Sequence, residues 1–135
     1  MNKQQKNYAV AKAYLKTLET RAEEIEREYI TGHNIVNPDG TVPAAIYCID
    51  DEAAFDKANA DTAPALDALE IWKARETLDT AEDALINYAL SLMPSANDEE
   101  RETLKANCFG PNCRLKIRNK VLDLAFRLNT AMVRG

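Results

Sequence analysis

Between Ile71 and Leu92 apolar side chains recur at Ile71, Ala74, Leu78, Ala81, Leu85, Tyr88 and Leu92, in alternating steps of three and four. That rhythm predicts one long amphipathic helix. Tyr8, Ala11, Leu15, Leu18, Ala22, Ile25 and Tyr29 repeat it near the N-terminus, predicting a second long helix from about Gln4 to Ile30. The two are natural antiparallel partners. Ala74 and Ala81 would let the facing backbone come to the near end of the usual interaxial range of about 8 to 10 Å. Ile86, Leu90 and Met93 add a second apolar face to the end of the 71–92 helix, so that end must touch more than one neighbour.

The first helix should stop at Gly32, read as its left-handed terminator. Residues 31–50 then form the one long irregular segment, built on Asn37-Pro38-Asp39-Gly40, a composition suited to a type I turn. Ile35-Val36 and Thr41-Val42 flank the turn, which predicts a small hairpin-like excursion, and Pro43 limits its second strand. The run Ala44 to Ile49 is too apolar for a solvated loop and should dock against the helices. Asp50, Asp51 and Glu52 read as the cap and first turn of a short helix to about Ala60. Pro64 suits the first turn of the long helix; the pattern leaves open whether 50–93 is one kinked helix or two.

Asn97 followed by Asp98, Glu99 and Glu100 starts a short helix to about Cys108, broken by Gly110 and Pro111. A last helix is predicted from about Asn112 to Val133, with Ile117, Val121, Leu124, Leu128 and Ala131 as its seam and Leu115, Leu122, Phe126 and Val133 widening it. The fold class is therefore all-α: a bundle of two long antiparallel helices, a long C-terminal helix and short helices, with the 31–50 excursion. At 135 residues and 46% hydrophobic content, one domain spanning 1–135 is expected. The tyrosines at Tyr8, Tyr14 and Tyr29 are read as core positions with hydroxyls reaching solvent rather than as a ligand pocket.

Charge changes the picture by segment. Residues 1–49 are neutral overall, 50–100 carry fourteen acidic and three basic groups, and 101–135 carry two acidic and eight basic, within a net charge of −5. Neighbouring helices neutralising one another explain most of this, and partners the rest. The longest apolar run is far short of the roughly 20 residues a membrane helix needs, and Met1 to Asn7 lacks the apolar core of a secretory signal. A cytoplasmic protein is the expectation. Three cysteines fit reduced thiols better than a disulfide framework.

The inventory of chemistry argues against an enzyme. One histidine, His33, excludes paired Glu-x-x-His and His-Glu-x-x-His motifs, and the glycines are too scattered for a phosphate-cradling loop. Glu76, Asp79 and Asp83 project away from the apolar seam and read as a solvated face. No cofactor is expected. His33, Cys48, Cys108 and Cys113 do make one complete zinc set of three thiolates and an imidazole, and Cys108 with Cys113 would also suit a local disulfide; independent free thiols are the expected state. Cys113, placed in the first turn of the last helix beside Arg114, has the setting of a lowered thiol pKa but lacks a placed histidine.

Lys116, Lys120, Arg127 and Arg134 fall on one stripe of the last helix that would track phosphates, without aromatics for base stacking. Arg114 and Arg118 fall toward the middle of its apolar face, where an arginine needs a carboxylate or an exit to solvent. The function expected is a small non-enzymatic interaction module, an adaptor or inhibitor acting through helical faces. Its apolar faces exceed what a monomer of this size covers, so a homodimer is expected, with Arg114 and Arg118 near the interface and paired to acids of 50–100. Nucleic-acid binding through the basic stripe, or acidic mimicry of nucleic acid toward a basic partner, are the alternatives.

Overall fold

The computed structural model describes residues 2–92, 98–111 and 113–127. The chain is all-helical and packs as a helical bundle. Its elements are α1 (Lys3–Gly32), a 3-10 turn (Ile46–Cys48), α2 (Glu52–Ala68), α3 (Ile71–Ser91), α4 (Asp98–Cys108) and α5 (Leu115–Arg127). Among the described residues there is no strand, and no helix is long and apolar enough to cross a membrane. Two compact units emerge: a continuous unit, Ala13–Arg75, and a split unit assembled from Met1–Lys12 and Glu76–Gly135.

In the continuous unit, α1 ends on a Schellman motif centred on Asn34. The Ile35 N–H donates to Ile30 O at 3.1 Å and the Asn34 N–H to Thr31 O at 3.2 Å, with Asn34 at φ +51°. Gly32 is the last helical residue, so the expected left-handed glycine is instead an asparagine two residues on. Asparagine tolerates that conformation because its short polar side chain can bond locally.

The 37–40 turn closes with Gly40 N–H to Asn37 O at 2.9 Å and Asn37 N–H to Thr41 O at 2.9 Å, and Gly40 sits at φ +86°. The excursion is thus a reverse turn with hairpin-like closure, and pairing goes no further. Pro43 removes the next backbone donor, and Asn37 turns its amide elsewhere: Nδ2 donates to Cys48 O and Oδ1 accepts from Asp50 N–H, both at 3.0 Å. From α1, Glu26 Oε1 accepts the Ile46 N–H at 3.1 Å. The Ala44–Ile49 run docks as its composition requires. Ile46, Ile49 and Ala58 form a small core with Tyr29, Ile35, Ala54 and Phe55 around it, while Tyr47 points to solvent.

Asp51 is the N-cap of α2, its carboxylate accepting from Ala54 N–H at 3.0 Å. The boundary expected at Pro64 lies elsewhere. Pro64 is inside α2, and the chain breaks at Leu69–Glu70, where Glu70 takes φ +50°. Ala60 and Pro64 are both on the exposed side, so water can meet the carbonyl that proline's missing donor leaves. Residues 50–92 are therefore two helices. The Tyr29 hydroxyl donates to Asp61 at 2.7 Å, tying α1 to α2 and pushing the tyrosine pKa up.

The split unit holds the larger core. Tyr8 and Ala11 of α1 cluster with Ala81, Leu85, Ile86 and Leu90 of α3, Cys108 of α4, and Leu122 and Ala125 of α5. The three-four seam explains this side of α3. Leu85 and Ile86 are fully buried, each contributing roughly 1.5 to 3 kcal/mol of transfer free energy. α1 begins with a reciprocal capping box: Gln5 N–H donates to Asn2 Oδ1 at 2.8 Å and Asn2 N–H to Gln5 Oε1 at 3.0 Å. The buried Gln5 amide then donates to the Ala125 and Phe126 carbonyls of α5 at 3.2 and 3.0 Å.

α4 stops at Cys108, followed by Gly110 at φ +80°, as Gly110-Pro111 predicts. The expected start of α4 at Asn97 lies outside the described residues, as do the last-helix positions Leu128, Ala131, Val133 and Arg134. α5 begins at Leu115 rather than Asn112. The Arg118 N–H bonds to Arg114 O at 2.9 Å, making Arg114 the flanking cap residue.

Candidate functional site

The best-defined polar centre of the split unit is Arg118. Its side chain is only 14% exposed, and it joins three helices. Nη2 donates to Asp83 Oδ1 at 2.7 Å and to Glu82 Oε2 at 3.3 Å on α3, and Nη1 donates to Cys108 O at 2.9 Å. The guanidinium also lies 5.5 Å from the centre of the Phe109 ring. Burial alone would lower its pKa, but the bonds to Asp83 and Glu82 outweigh that and hold it above its ordinary value. A cation on the last carbonyl of α4 also meets the negative end of that helix's dipole. Arg118 is thus a three-way fastener that fixes the rotation of α5.

That rotation decides which α5 residues are presented. Leu122 and Ala125 are buried, and Ile117, Val121 and Phe126 pack beside them. Leu124, assigned by periodicity to the seam, is 59% exposed, and Leu115 is exposed at the helix start. The apolar arc is wide enough for several registers; placing Arg118 between two carboxylates and a helix end selects the one that turns Leu124 outward. Lys116, Lys120 and Arg127 are exposed and share an arc of about 40° at 100° per residue, with Leu124 bordering it. Arg127 Nη2 lies 3.3 Å from Asp123 Oδ2 on the same helix.

Beside this face, still within the split unit, is a half-open cleft of about 350 Å³. Tyr8 and Lys12 of α1, Glu82 of α3, and Asn119, Leu122, Asp123 and Phe126 of α5 line it. Tyr8 and Phe126 meet edge to face at 5.4 Å between ring centres, and the Lys12 ammonium hangs 5.6 Å over the Tyr8 ring.

The remaining candidate residues are scattered. Glu76 and Asp79 are exposed on α3, whereas Asp83 is half-buried because it serves Arg118. Arg114 is exposed, not central to the buried face. Tyr14, expected in the core, is 57% exposed. His33 and Cys48 belong to the continuous unit and Cys108 and Cys113 to the split one. Among the described residues no three His, Cys, Asp or Glu side chains group as metal ligands.

His33 stacks on the Tyr29 ring at 3.9 Å, with Nδ1 2.9 Å from the Tyr29 carbonyl oxygen. The three thiols are free. Cys113 precedes α5 instead of occupying its first turn, and its thiol donates to Cys108 O at 3.3 Å. Cys108 is fully buried; burial pushes its thiol pKa up, against the nearby Arg118 charge.

Two polar residues at the centre of this architecture escaped the pattern reading, though each left a signal. Gln5 stands three residues before Tyr8, in line with the seam, and Asn2 precedes it at capping-box spacing. Glu82 stands four after Leu78 and three before Leu85, so it is an acid on an apolar stripe. Compared with known protein families, curated proteins and solved structures, the chain matches none.

Proposed function

We propose that the chain is a non-enzymatic protein-interaction module of the cytoplasm, an adaptor or inhibitor, and that the outer face of α5 is its presenting surface. The observation that carries this reading is the division of labour on that helix. Arg118 and the Gln5 amide hold α5 from behind, while Lys116, Lys120, Arg127 and the exposed Leu124 stand together in front. An exposed apolar residue bordered on one side by cations suits a partner with an apolar spot beside acidic groups. A second copy of the chain offers such acidity, since its continuous unit carries thirteen acidic and six basic residues, net −7.

Light scattering across a tenfold dilution at micromolar concentration tests this, with the expected species a dimer of the 15.1 kDa chain. The double variant Lys116→Glu/Lys120→Glu is expected to run as a monomer with an unchanged helical spectrum. A wild-type monomer throughout the series would remove the second copy as partner. The same stripe makes duplex DNA the competing ligand. Binding to it that falls steeply with salt would replace the protein-interaction reading, because phosphate contacts release counterions.

A further inference from the structure

The 31–50 excursion carries apolar surface that its own unit does not cover. Of the large apolar side chains left exposed among the described residues, three fall within it: Val36 at 56%, Val42 at 64% and Tyr47 at 80%. Each is the chain neighbour of a residue that faces inward. Ile35 and Ile46 belong to the small core of the continuous unit, and Pro43 is buried. The fold that covers those residues leaves their neighbours outside. Asn37 gathers the exposed three. Its N–H donates to Thr41 O, and in the register that follows Val36 comes opposite Val42; its Nδ2 donates to the carbonyl of Cys48, next to Tyr47. The charge around them is of one sign, because residues 31–52 include Asp39, Asp50, Asp51 and Glu52 and no lysine or arginine. Among the described residues none of these four acids is in an ion pair. Asp39 and Asp51 accept backbone N–H bonds at the turn and at the α2 cap, whereas the exposed Asp50 and Glu52 carboxylates have no such task.

We propose that the excursion of one copy of this chain is the docking surface for the outer face of α5 of a second copy, with Leu124 against Val36, Val42 and Tyr47, and Lys116 and Lys120 among the acids. The proposal rests on the interaction reading above and names the surface that its partner offers. Lys116, Lys120 and Leu124 follow one another at steps of four along one side of α5, and among the described residues neither lysine is in an ion pair. An exposed leucine beside two such cations thus meets three exposed apolar residues beside unpaired acids. The Tyr47 ring adds a match of its own: an aromatic face attracts an ammonium, and the lysine's methylene stem packs against it. Asn37 and Glu26 already hold the excursion in place, so docking has little backbone left to order. In a two-fold pair the contact is made twice, once in each direction.

Sedimentation velocity on the full chain at micromolar concentration tests the proposal. Asp50→Lys/Glu52→Lys is expected to run as a monomer with an unchanged helical spectrum, as Lys116→Glu/Lys120→Glu is. Mixed in equal amounts, the two charge-reversed variants are expected to associate with each other, since each reversed surface then meets its opposite. Tyr47→Ser, at an exposed position, is expected to weaken self-association about tenfold. Wild-type dimerisation strength in Asp50→Lys/Glu52→Lys and in Tyr47→Ser, or no association in the mixture, would overturn the proposal. If Lys116→Glu/Lys120→Glu alone abolished the dimer, the interaction reading would stand and the excursion would be eliminated. A wild-type monomer at every concentration would also overturn the proposal and leave the excursion to a partner of another kind.

Discussion

The split and continuous units are built from the same two long helices but are held by different means. In the split unit nine buried residues form one core, and two long polar side chains, Arg118 and Gln5, reach through it to close helix ends. In the continuous unit the buried cluster is Ile46, Ile49 and Ala58, with Ile30 and Ala74 buried outside it, and much of the ordering is done by the backbone and by polar side chains: Asn37, Glu26, Asp51 and the Asn34 turn. The charge differs too, with net −7 in the continuous unit against eleven basic and nine acidic residues, net +2, in the split one. A unit with little apolar area to bury depends on satisfying its loop hydrogen bonds; one with a large core can bury a charge, provided that charge is fully paired.

The largest effect should come from breaking that pairing. Arg118→Ala leaves Glu82 half-buried without its cation and strips the last carbonyl of α4 of a donor, so a loss of about 2 to 4 kcal/mol is expected. Chemical denaturation reads the size, and hydrogen exchange at α3, α4 and α5 amides reads the place. If the continuous unit's amides weakened as much, the two units would be one cooperative structure.

The counterpart in the continuous unit is Asn37→Ala. It removes the bonds to Cys48 O and Asp50 N–H for an expected loss of about 1 to 2 kcal/mol, with exchange accelerating across 37–50 while α5 stays protected.

Smaller still, and opposite in sign, is Gly32→Ala. A Cβ there meets nothing within 4 Å and Gly32 does not take positive φ, so stabilisation by about 0.5 to 1 kcal/mol is expected from thermal melts. Destabilisation would return the left-handed role to Gly32 and take it from Asn34.

The smallest effect is confined to alkaline solution. The folded Cys108 thiol titrates above its ordinary value of 9.0, so in the unfolded chain it ionises first. Stability is therefore expected whole below about pH 9 and to fall as pH rises beyond it. Cys108→Ala should flatten that alkaline slope. At neutral pH a thiol reagent should label half-buried Cys48 and Cys113 faster than Cys108, which waits for the split unit to open.

Helix existence was legible because a three-four rhythm has one simple geometric reading, and the bundle followed from it. The short signals that name their own donors and acceptors were legible too: Asp51 as a cap, Asn37 to Gly40 as a turn, Gly110-Pro111 as a stop. What was hidden depends on partners far along the chain. The apolar arc of α5 fits several rotations, and only the meeting of Arg118 with Asp83, Glu82 and the α4 terminus, 35, 36 and 10 residues away, selects one. Pro64 misled for the converse reason. Its cost in a helix is local, but packing around Ala58 and Thr62 and solvent on its own side let the helix run on to Ala68. For the candidate site, the basic stripe was legible from spacing, whereas the cleft takes its lining from three separate helices and had no sequence signature.

The Gln5 contact with Ala125 and Phe126 spans 120 residues or more, and it has a consequence for the order of assembly on the ribosome. The continuous unit consists of Ala13–Arg75, so all of its residues have been synthesised once Arg75 is added. The first turns of α1 emerge earlier still but wait for α5. At a synthesis rate of roughly 5 to 20 residues per second, that wait after Arg75 is about 3 to 10 seconds. Throughout it, Tyr8 and Ala11 face solvent without their core. Nascent chains would therefore carry an ordered acidic unit with an unfinished apolar helix end ahead of it, the interval in which a chaperone or a neighbouring chain has most access.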